Sequence, residues 1–184
     1  MPPSCPCCAP SLSRRGVLAA VALAWTGSPA AAQAPPSGTR RLSLARAQSS
    51  ERFDGIYWRD GAHNPEAMAA IAWLLRDREA NLAGAIDPAL IDTLWLLDQR
   101  IAGRGFEVVS GYRTPATQAA LAARWGRAAA NSLHVEGRAV DVRRPGLHAL
   151  GLVGAAWQLG RGGVGLYRGG SPYVPLDTGP RRRW

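Results

Sequence analysis

Three helix-start signals of one kind divide the middle of the chain, and they limit its folds more than any other feature of the sequence. Each combines a side chain that can cap a helix with a proline at the first helical position, in Asn64-Pro65, Asp87-Pro88 and Thr114-Pro115. Apolar residues then follow at helical spacing, for example Leu90 and Leu94 after the second signal. The sequence therefore predicts three amphipathic helices that each bury one face.

Short strand-like segments lie around these helices, without regular alternation and without an internal repeat. They span residues 41–45, 53–58, 106–110, 138–142, 163–167 and 173–177, and a weaker helical segment covers residues 147–159. This order predicts an α+β fold, in which a small mixed or antiparallel sheet packs with helices, and disfavours a doubly wound parallel sheet. We expect the apolar faces of these helices to lie in the core, and we assign Trp73, Trp95 and Trp125 no functional role.

The N-terminal residues have the order of a twin-arginine export signal. Ser13-Arg14-Arg15-Gly16-Val17-Leu18 leads into an apolar run at residues 17–25, and small residues follow at Ala30-Ala31-Ala32. The apolar run is much shorter than the roughly 20 residues of a membrane-spanning helix. We predict an export signal at residues 1–32, a linker at 33–41 and one domain at 42–184. An uncleaved anchor and a misassigned start codon are the alternatives.

Composition and charge narrow the class of protein. All 22 basic residues are arginine and the net charge is +9, which falls to +7 when residues 1–32 and their two arginines are removed from the 184. The three cysteines, Cys5, Cys7 and Cys8, leave with the signal, so the remaining 152 residues contain no disulfide and no cysteine ligand. Neither a nucleic-acid motif nor a coiled-coil repeat is present. We therefore expect an exported monomer, with no nucleic-acid partner and no stable membrane span after cleavage.

A histidine and an aspartate seven residues apart, His134 and Asp141, flank Gly137 in the second half of the chain. On a continuous helix this spacing separates two residues by about 10.5 Å, too far for one metal ion with bonds of about 2 Å. A turn at Gly137 would bring His134, in a loop, toward Asp141 on the strand that follows. The spacing alone leaves two interpretations open: a paired site, or a loop histidine beside a solvated carboxylate.

Several ordered motifs between residues 42 and 184 resemble one family. They are Tyr57-Trp58-Arg59-Asp60-Gly61, Ile86-Asp87-Pro88, Ser110-Gly111-Tyr112-Arg113-Thr114-Pro115, the segment 132–141, Gly162-Gly163-Val164-Gly165-Leu166-Tyr167, Asp177-Thr178-Gly179-Pro180 and Arg182-Arg183-Trp184. In this set and order they resemble the zinc D-Ala-D-Ala peptidase superfamily, and within it the murein endopeptidase K-like exported proteins. The resemblance implies a D-Ala-D-Ala carboxypeptidase/Hedgehog-like fold.

The resemblance also implies roles for single residues. His134 and Asp141 match two of the family's three zinc ligands, and Arg113 matches an arginine that points toward the substrate carbonyl in related peptidases. A guanidinium has fixed donors that can stabilise the oxyanion formed when water attacks an amide. A structural ion pair is the alternative role for Arg113.

The closing motif departs from the family. Where the family has His-x-Asp-Thr-Gly, this chain has Pro175-Leu176-Asp177-Thr178-Gly179, and proline has no metal-binding side chain. Three explanations are open: an inactive relative that keeps the groove, a site rebuilt with another ligand, or a sequence error of one base. Asp177 shares a strand face with Pro175, so it is a candidate replacement ligand or general base. A turn carboxylate is the equally weighted alternative for Asp177.

The resemblance implies a zinc-dependent murein endopeptidase that hydrolyses peptide cross-links of peptidoglycan, and the export signal predicts that it acts in the periplasm. The positive charge would favour approach to an anionic cell-wall polymer. Because Pro175 replaces an expected ligand, the alternative is a catalytically inactive, peptidase-like protein that binds peptidoglycan. A Pro175→His variant would separate the two.

Overall fold

The computed structural model of the protein describes residues 38–125, 131–167 and 169–184, without the side chain of Trp125. It contains, in chain order, β1 (Thr39–Arg46), β2 (Arg52–Arg59), β3 (Ala62–His63), α1 (Pro65–Leu74), α2 (Pro88–Arg100), β4 (Phe106–Ser110), α3 (Pro115–Trp125), β5 (Ala139–Arg143), α4 (Ala149–Leu159), β6 (Gly163–Val164), β7 (Val174–Asp177) and β8 (Arg182–Arg183). The predicted export signal at residues 1–32 lies outside the described residues.

The strands form one open mixed sheet in the order β3-β2-β1-β4-β5-β7-β6-β8. The pairs β1–β4 and β6–β8 are parallel, and the other neighbours are antiparallel. Helices and strands do not alternate along the chain, so the sheet is assembled from hairpins and longer returns. The α+β prediction is confirmed.

The first two strands form an antiparallel hairpin. Ala45 pairs with Arg52 and Thr39 pairs with Arg59 at the two ends of the ladder. The first strand begins at Thr39 and thus includes the end of the segment 33–41, which the sequence predicts as a linker. Pairing with Arg59 explains this earlier start, because the partner strand supplies hydrogen bonds to residues that have no apolar pattern of their own.

The helices start where the cap-and-proline signals predict. The side chain of Asn64 accepts hydrogen bonds from the backbone N–H groups of Glu66 and Ala67, and Asp87 accepts one from Ala89. These bonds satisfy donors that have no partner within the first turn of a helix. The fourth helix uses another cap, the side chain of His148, which accepts from the N–H of Leu150.

The core lies between the sheet and the helices: α1 packs on β2, α2 on β1, and α4 on β6 and β7. Trp95 is partly buried against this core, whereas Trp73 is 50% exposed. Trp73 follows the buried Ile71 by two residues, which is about 200° around the helix and points it outward. Among the described residues, no helix is both long enough and apolar enough to cross a membrane.

Candidate functional site

A pocket of about 660 Å³ opens beside the central strand β5, where several segments distant in the sequence meet. Its polar lining includes Arg113, Gln118, Ser132, His134, Tyr167 and Asp177, and its apolar lining includes Leu133, Pro175, Leu176 and Trp184. Four of the five residues that the sequence singles out line this cavity: Arg113, His134, Pro175 and Asp177. Asp141 lies directly behind it and contacts three of the lining residues.

His134 is buried and its ring is held by one strong contact. Its Nδ1 lies 2.6 Å from the backbone oxygen of Gly111, which orients the ring and leaves Nε2 facing Asp141. Burial lowers the pKa of His134, and this effect exceeds the opposite effect of Asp141. A neutral imidazole whose other nitrogen is bound to a carbonyl is the form in which histidine ligates metals.

The turn that presents His134 depends on Gly137. Gly137 has φ of +66°, and its N–H donates to the oxygen of His134, which closes the turn predicted from the spacing. A Cβ at this position would collide with the backbone oxygen of Ala85. On the same side, the N–H of Asp87 donates to the oxygen of Gly137. The start of α2 thus holds the turn in place.

Asp141 is the residue on which the site converges. It is 2% exposed and lies on β5. Its Oδ2 accepts a hydrogen bond from Nη2 of Arg113 at 3.0 Å and lies 3.6 Å from Nε2 of His134, while its Oδ1 accepts from the hydroxyl of Tyr167 at 2.8 Å. The structure brings His134, Asp141 and Arg113 together, as the resemblance implies.

Arg113 is held at three points by neighbours on different elements. Its Nε donates to Oγ of Ser110 at 2.9 Å, its Nη1 to Oε1 of Gln118 at 3.3 Å, and its Nη2 to Asp141. Its backbone N–H donates to the oxygen of His134 at 3.1 Å. Both roles weighed for Arg113 are compatible with this arrangement, because the ion pair exists and the side chain also lines the pocket.

A second buried carboxylate, Asp77, fixes the chain just after Arg113. Its Oδ2 accepts from both the N–H and the hydroxyl of Thr114, at 2.8 and 2.9 Å. Burial alone would raise the pKa of Asp77, but hydrogen bonds from Thr117, Thr114 and Ala80 outweigh it and lower the pKa to about 2. The ionised carboxylate thereby positions the segment that carries Arg113.

Asp177 lines the same pocket, but its oxygens are engaged elsewhere. Arg182 donates to both of them, at 3.1 and 2.7 Å, and the N–H groups of Gly163 and Gly179 donate to Oδ1. Asp177 is 4% exposed. These four donors are those of a carboxylate that joins a turn to a strand, which is the alternative that the sequence leaves open for it.

Pro175 stands at the position of the expected third ligand. It pairs across the ladder with Asp141, so a side chain here would lie beside the His134–Asp141 pair. Two ligand atoms bound tetrahedrally to one zinc ion at about 2 Å are about 3.3 Å apart, close to the 3.6 Å between Nε2 of His134 and Oδ2 of Asp141. This pair fits zinc, but the set is one protein ligand short: within the ranges described, no three His, Cys, Asp or Glu side chains are grouped to hold a metal.

Sequence reasoning did not assign several residues that complete the site. Tyr167 bonds Asp141, and Ser110 and Gln118 hold Arg113. Tyr167 and Ser110 fall within motifs that carry the family resemblance, which was the available signal. Gln118 lies on α3, five residues after Arg113. No motif in the sequence indicates that its side chain contributes to the site.

Comparisons with known proteins identify the family of this chain. The profile of a family described as peptidoglycan L,D-endopeptidase MepK matches residues 34–184. The peptidoglycan L,D-endopeptidase MepK of Escherichia coli K12 is 32% identical over 177 residues, covering 94% of this chain and 97% of the relative. The probable peptidoglycan L,D-endopeptidase MepK of Haemophilus influenzae is 30% identical over 147 residues, covering 79% and 78%. The family that the motifs indicate is confirmed: the chain belongs to the MepK peptidoglycan L,D-endopeptidase family.

Proposed function

We propose that the protein is a zinc-dependent endopeptidase that hydrolyses peptide cross-links in peptidoglycan. The observation that carries the proposal is the approach of His134 Nε2 to Asp141 Oδ2, at 3.6 Å, beside Arg113 in an open pocket. The MepK relatives, whose matches cover most of this chain, are peptidoglycan L,D-endopeptidases by name, and this supports the same substrate.

His134 and Asp141 would hold the zinc ion, which in hydrolases lowers the pKa of water and polarises the carbonyl of the scissile bond. The remaining chemistry belongs to the side chains around this pair. Tyr167 and Arg113 each donate to Asp141 and so fix the direction of its carboxylate. The guanidinium of Arg113, clamped by Ser110 and Gln118, is placed to donate to the oxyanion of an attacked amide.

One observation favours a second candidate function. Catalytic zinc sites have three protein ligands, and the residue that pairs with Asp141 across the ladder is Pro175. A protein with this substitution would keep the pocket and Arg113 while holding zinc weakly. The second candidate is therefore a peptidoglycan-binding protein that does not hydrolyse its ligand. Asp177 does not offer a replacement ligand without breaking its contacts to Arg182.

The proposed compartment and partner follow from the N-terminal sequence and the charge. We place the protein in the periplasm, exported through the twin-arginine signal at residues 1–32. The remaining net charge of +7 would favour its association with carboxylates of the peptide stems. We expect the protein to act as a monomer.

Zinc content and hydrolysis, measured on the natural protein beside Pro175→His, test the proposal. We expect purified wild-type protein to convert cross-linked stem pairs of sacculi into uncross-linked stems when zinc is supplied, and to stop when a chelator removes the zinc. Pro175→His should retain zinc through a dialysis that strips the wild type. Pro172→His, an exposed proline three residues away, controls for the added imidazole.

The outcomes separate the two candidates. Hydrolysis by Pro175→His alone, with the wild type inert at saturating zinc, would establish the binding protein. If neither the wild type nor Pro175→His hydrolyses sacculi, with or without added zinc, the enzyme assignment is contradicted. Circular dichroism of each variant verifies that the substitution leaves the fold intact.

A further inference from the structure

Trp184 is a large aromatic side chain that remains 53% exposed although its backbone is firmly attached. Its backbone N–H donates to the oxygen of Val164 and its backbone oxygen accepts from the N–H of Leu166, so two hydrogen bonds to one neighbouring segment hold its backbone. The indole lines the pocket that contains His134 and Arg113. A rigid, half-exposed aromatic at the edge of a pocket loses little entropy when a ligand packs against it.

Two glycines make the seat on which the indole rests. A Cβ at Gly163 would lie 2.7 Å from Cζ3 of Trp184, and one at Gly165 would collide with the five-membered part of the same ring. Neither position admits a side chain unless the indole moves. Both glycines belong to the glycine-rich segment Gly162–Gly165. The packing of the indole explains why these two positions have no side chain.

The indole and Pro175 form one continuous apolar wall. A Cβ at Gly165 would lie 2.7 Å from Cγ of Pro175 as well as touching Trp184, so the two rings are adjacent over this glycine. Leu133 and Leu176 extend the apolar lining. Arg113 and His134 line the polar part of the same cavity.

The charged neighbour of Trp184 supports the ring but has its donors engaged. Arg182 lies over the indole, with Cζ 4.7 Å from the ring centroid, and both its Nη atoms donate to Asp177. The arginine therefore stabilises the position of the ring through a cation–π contact. A sugar ring stacked here would need side chains nearby to bind its hydroxyl groups, whereas the residues placed against the indole are two glycines, Pro175 and Arg182, whose Nη atoms donate to Asp177.

We propose that Trp184 and Pro175 form a subsite for an aliphatic side chain of the peptide stem, next to the bond held by Arg113. The proposal rests on the proposed function for the identity of the ligand. The wall packs against the methyl or methylene groups of the stem, and the polar part of the pocket binds its backbone. In this arrangement Pro175, which removes a metal ligand, adds apolar surface for the substrate.

Calorimetric titration of the full-length chain with a cross-linked stem peptide freed of sugar tests the subsite. A chelator is present, so binding is measured without turnover. We expect Trp184→Ala to weaken binding of the peptide by at least about tenfold, and Trp184→Phe to weaken it by less than about threefold. The matched control is Trp73→Ala, since Trp73 is also half-exposed and also carries an arginine over its ring, Arg76 at 4.4 Å.

Equal affinities of Trp184→Ala and Trp73→Ala for the peptide would overturn the proposal. A tenfold loss seen with the peptidoglycan disaccharide instead of the peptide would overturn it too, and would identify a sugar platform. If Trp184→Ala does not fold, an NMR titration of the wild type replaces it. The indole N–H resonance of Trp184 is assigned by its absence from the spectrum of Trp184→Phe. The lack of a chemical-shift change of this resonance when peptide is added would contradict the subsite.

The binding readout is independent of hydrolysis. If peptide binding depends on Trp184 but the protein leaves sacculi intact, the subsite is supported and the proposed enzymatic function is contradicted. Hydrolysis by the wild type with no dependence of peptide affinity on Trp184 keeps the enzyme and removes the subsite.

Discussion

At the scale of single residues, Arg113 connects the parts of the site. Its three side-chain hydrogen bonds reach Ser110 at the end of β4, Gln118 on α3 and Asp141 on β5. A guanidinium can make these bonds in three directions at once because its donors are arranged in a rigid plane. Lysine has one point charge on a flexible stem, so it cannot keep all three contacts.

Arg113→Lys should lower the rate of sacculus hydrolysis by about 100-fold or more, because a positioned donor to the oxyanion is lost. The melting temperature should fall by only a few degrees, since the positive charge beside Asp141 is retained. The measurement is the loss of cross-linked stem pairs per folded molecule, with thermal unfolding followed in parallel.

Arg143→Lys is the matched control for this prediction. Arg143 lies on the same strand as Asp141 but pairs with Glu107 at 2.7 Å, outside the pocket. It should retain wild-type hydrolysis. If Arg113 serves only as a structural ion pair, Arg113→Lys will lower the melting temperature and leave hydrolysis per folded molecule unchanged. That result would contradict the prediction.

At the scale of elements, the turn from Ser132 to Gly137 and the strand β5 act as one unit that carries both candidate zinc ligands. Arg138 follows the turn and donates to the hydroxyl and the backbone oxygen of Thr178, and the hydroxyl of Thr178 donates to Asp87. The cap of α2, the end of β7 and the histidine turn are thereby linked. The position of His134 depends on this packing as well as on the turn itself.

Gly137→Ala should lower the free energy of unfolding by about 2–4 kcal/mol, because it combines an unfavourable positive φ with a collision against Ala85. Urea denaturation measures the loss. Gly146→Ala provides the control, since Gly146 has φ of +82° and no atom within 4 Å of an added Cβ. It should lose only about 1–2 kcal/mol. Equal losses would show that the contact with Ala85 does not matter.

At the scale of the whole molecule, one buried ion pair ties the two halves of the described fold. Arg144 and Asp98, each almost fully buried, lie 2.6 Å apart. Arg144 also donates to the backbone oxygens of Gly105 and Ile101, and Asp98 accepts from the N–H of Gly105. The pair thus joins the end of α2, the approach to β4 and the exit of β5, the strand that carries Asp141.

Arg144→Met should destabilise the protein by about 3–5 kcal/mol, because it leaves the carboxylate of Asp98 buried without its counter-charge. Arg41→Met removes a cation from the exposed pair with Asp54, whose side chains are 63% and 53% exposed, and should cost less than about 1 kcal/mol. Urea unfolding curves of both variants test the difference. A loss for Arg144→Met as small as that for Arg41→Met would contradict the prediction.

Local signals were the most reliable guide to the fold. The starts of α1 and α2 follow from Asn64-Pro65 and Asp87-Pro88, since a cap and a proline act on residues within one turn. Residue type is a weaker guide than position on the helix. Trp73 is large and aromatic, yet its angle around α1 places it on the solvent side.

The candidate site was predictable only in part, because local patterns do not determine which distant segments come into contact. The family motifs indicated His134, Asp141 and Arg113, and the turn at Gly137 followed from the spacing. Tyr167 and Asp141 are 26 residues apart, and their bond could not be derived from either segment alone. The engagement of Asp177 by Arg182 likewise depends on the course of the chain after β7.

The sequence by itself determined the α+β class, the helix starts, the family and the proline that replaces an expected ligand, because these depend on composition, neighbouring residues and ordered motifs. Only the tertiary structure decided that Pro175 stands opposite Asp141, that Arg182 holds Asp177 and that Trp184 rests on two glycines at the pocket. The physical reason is that these contacts join strands distant along the chain. Their distances are set by sheet pairing and packing, which no local pattern encodes.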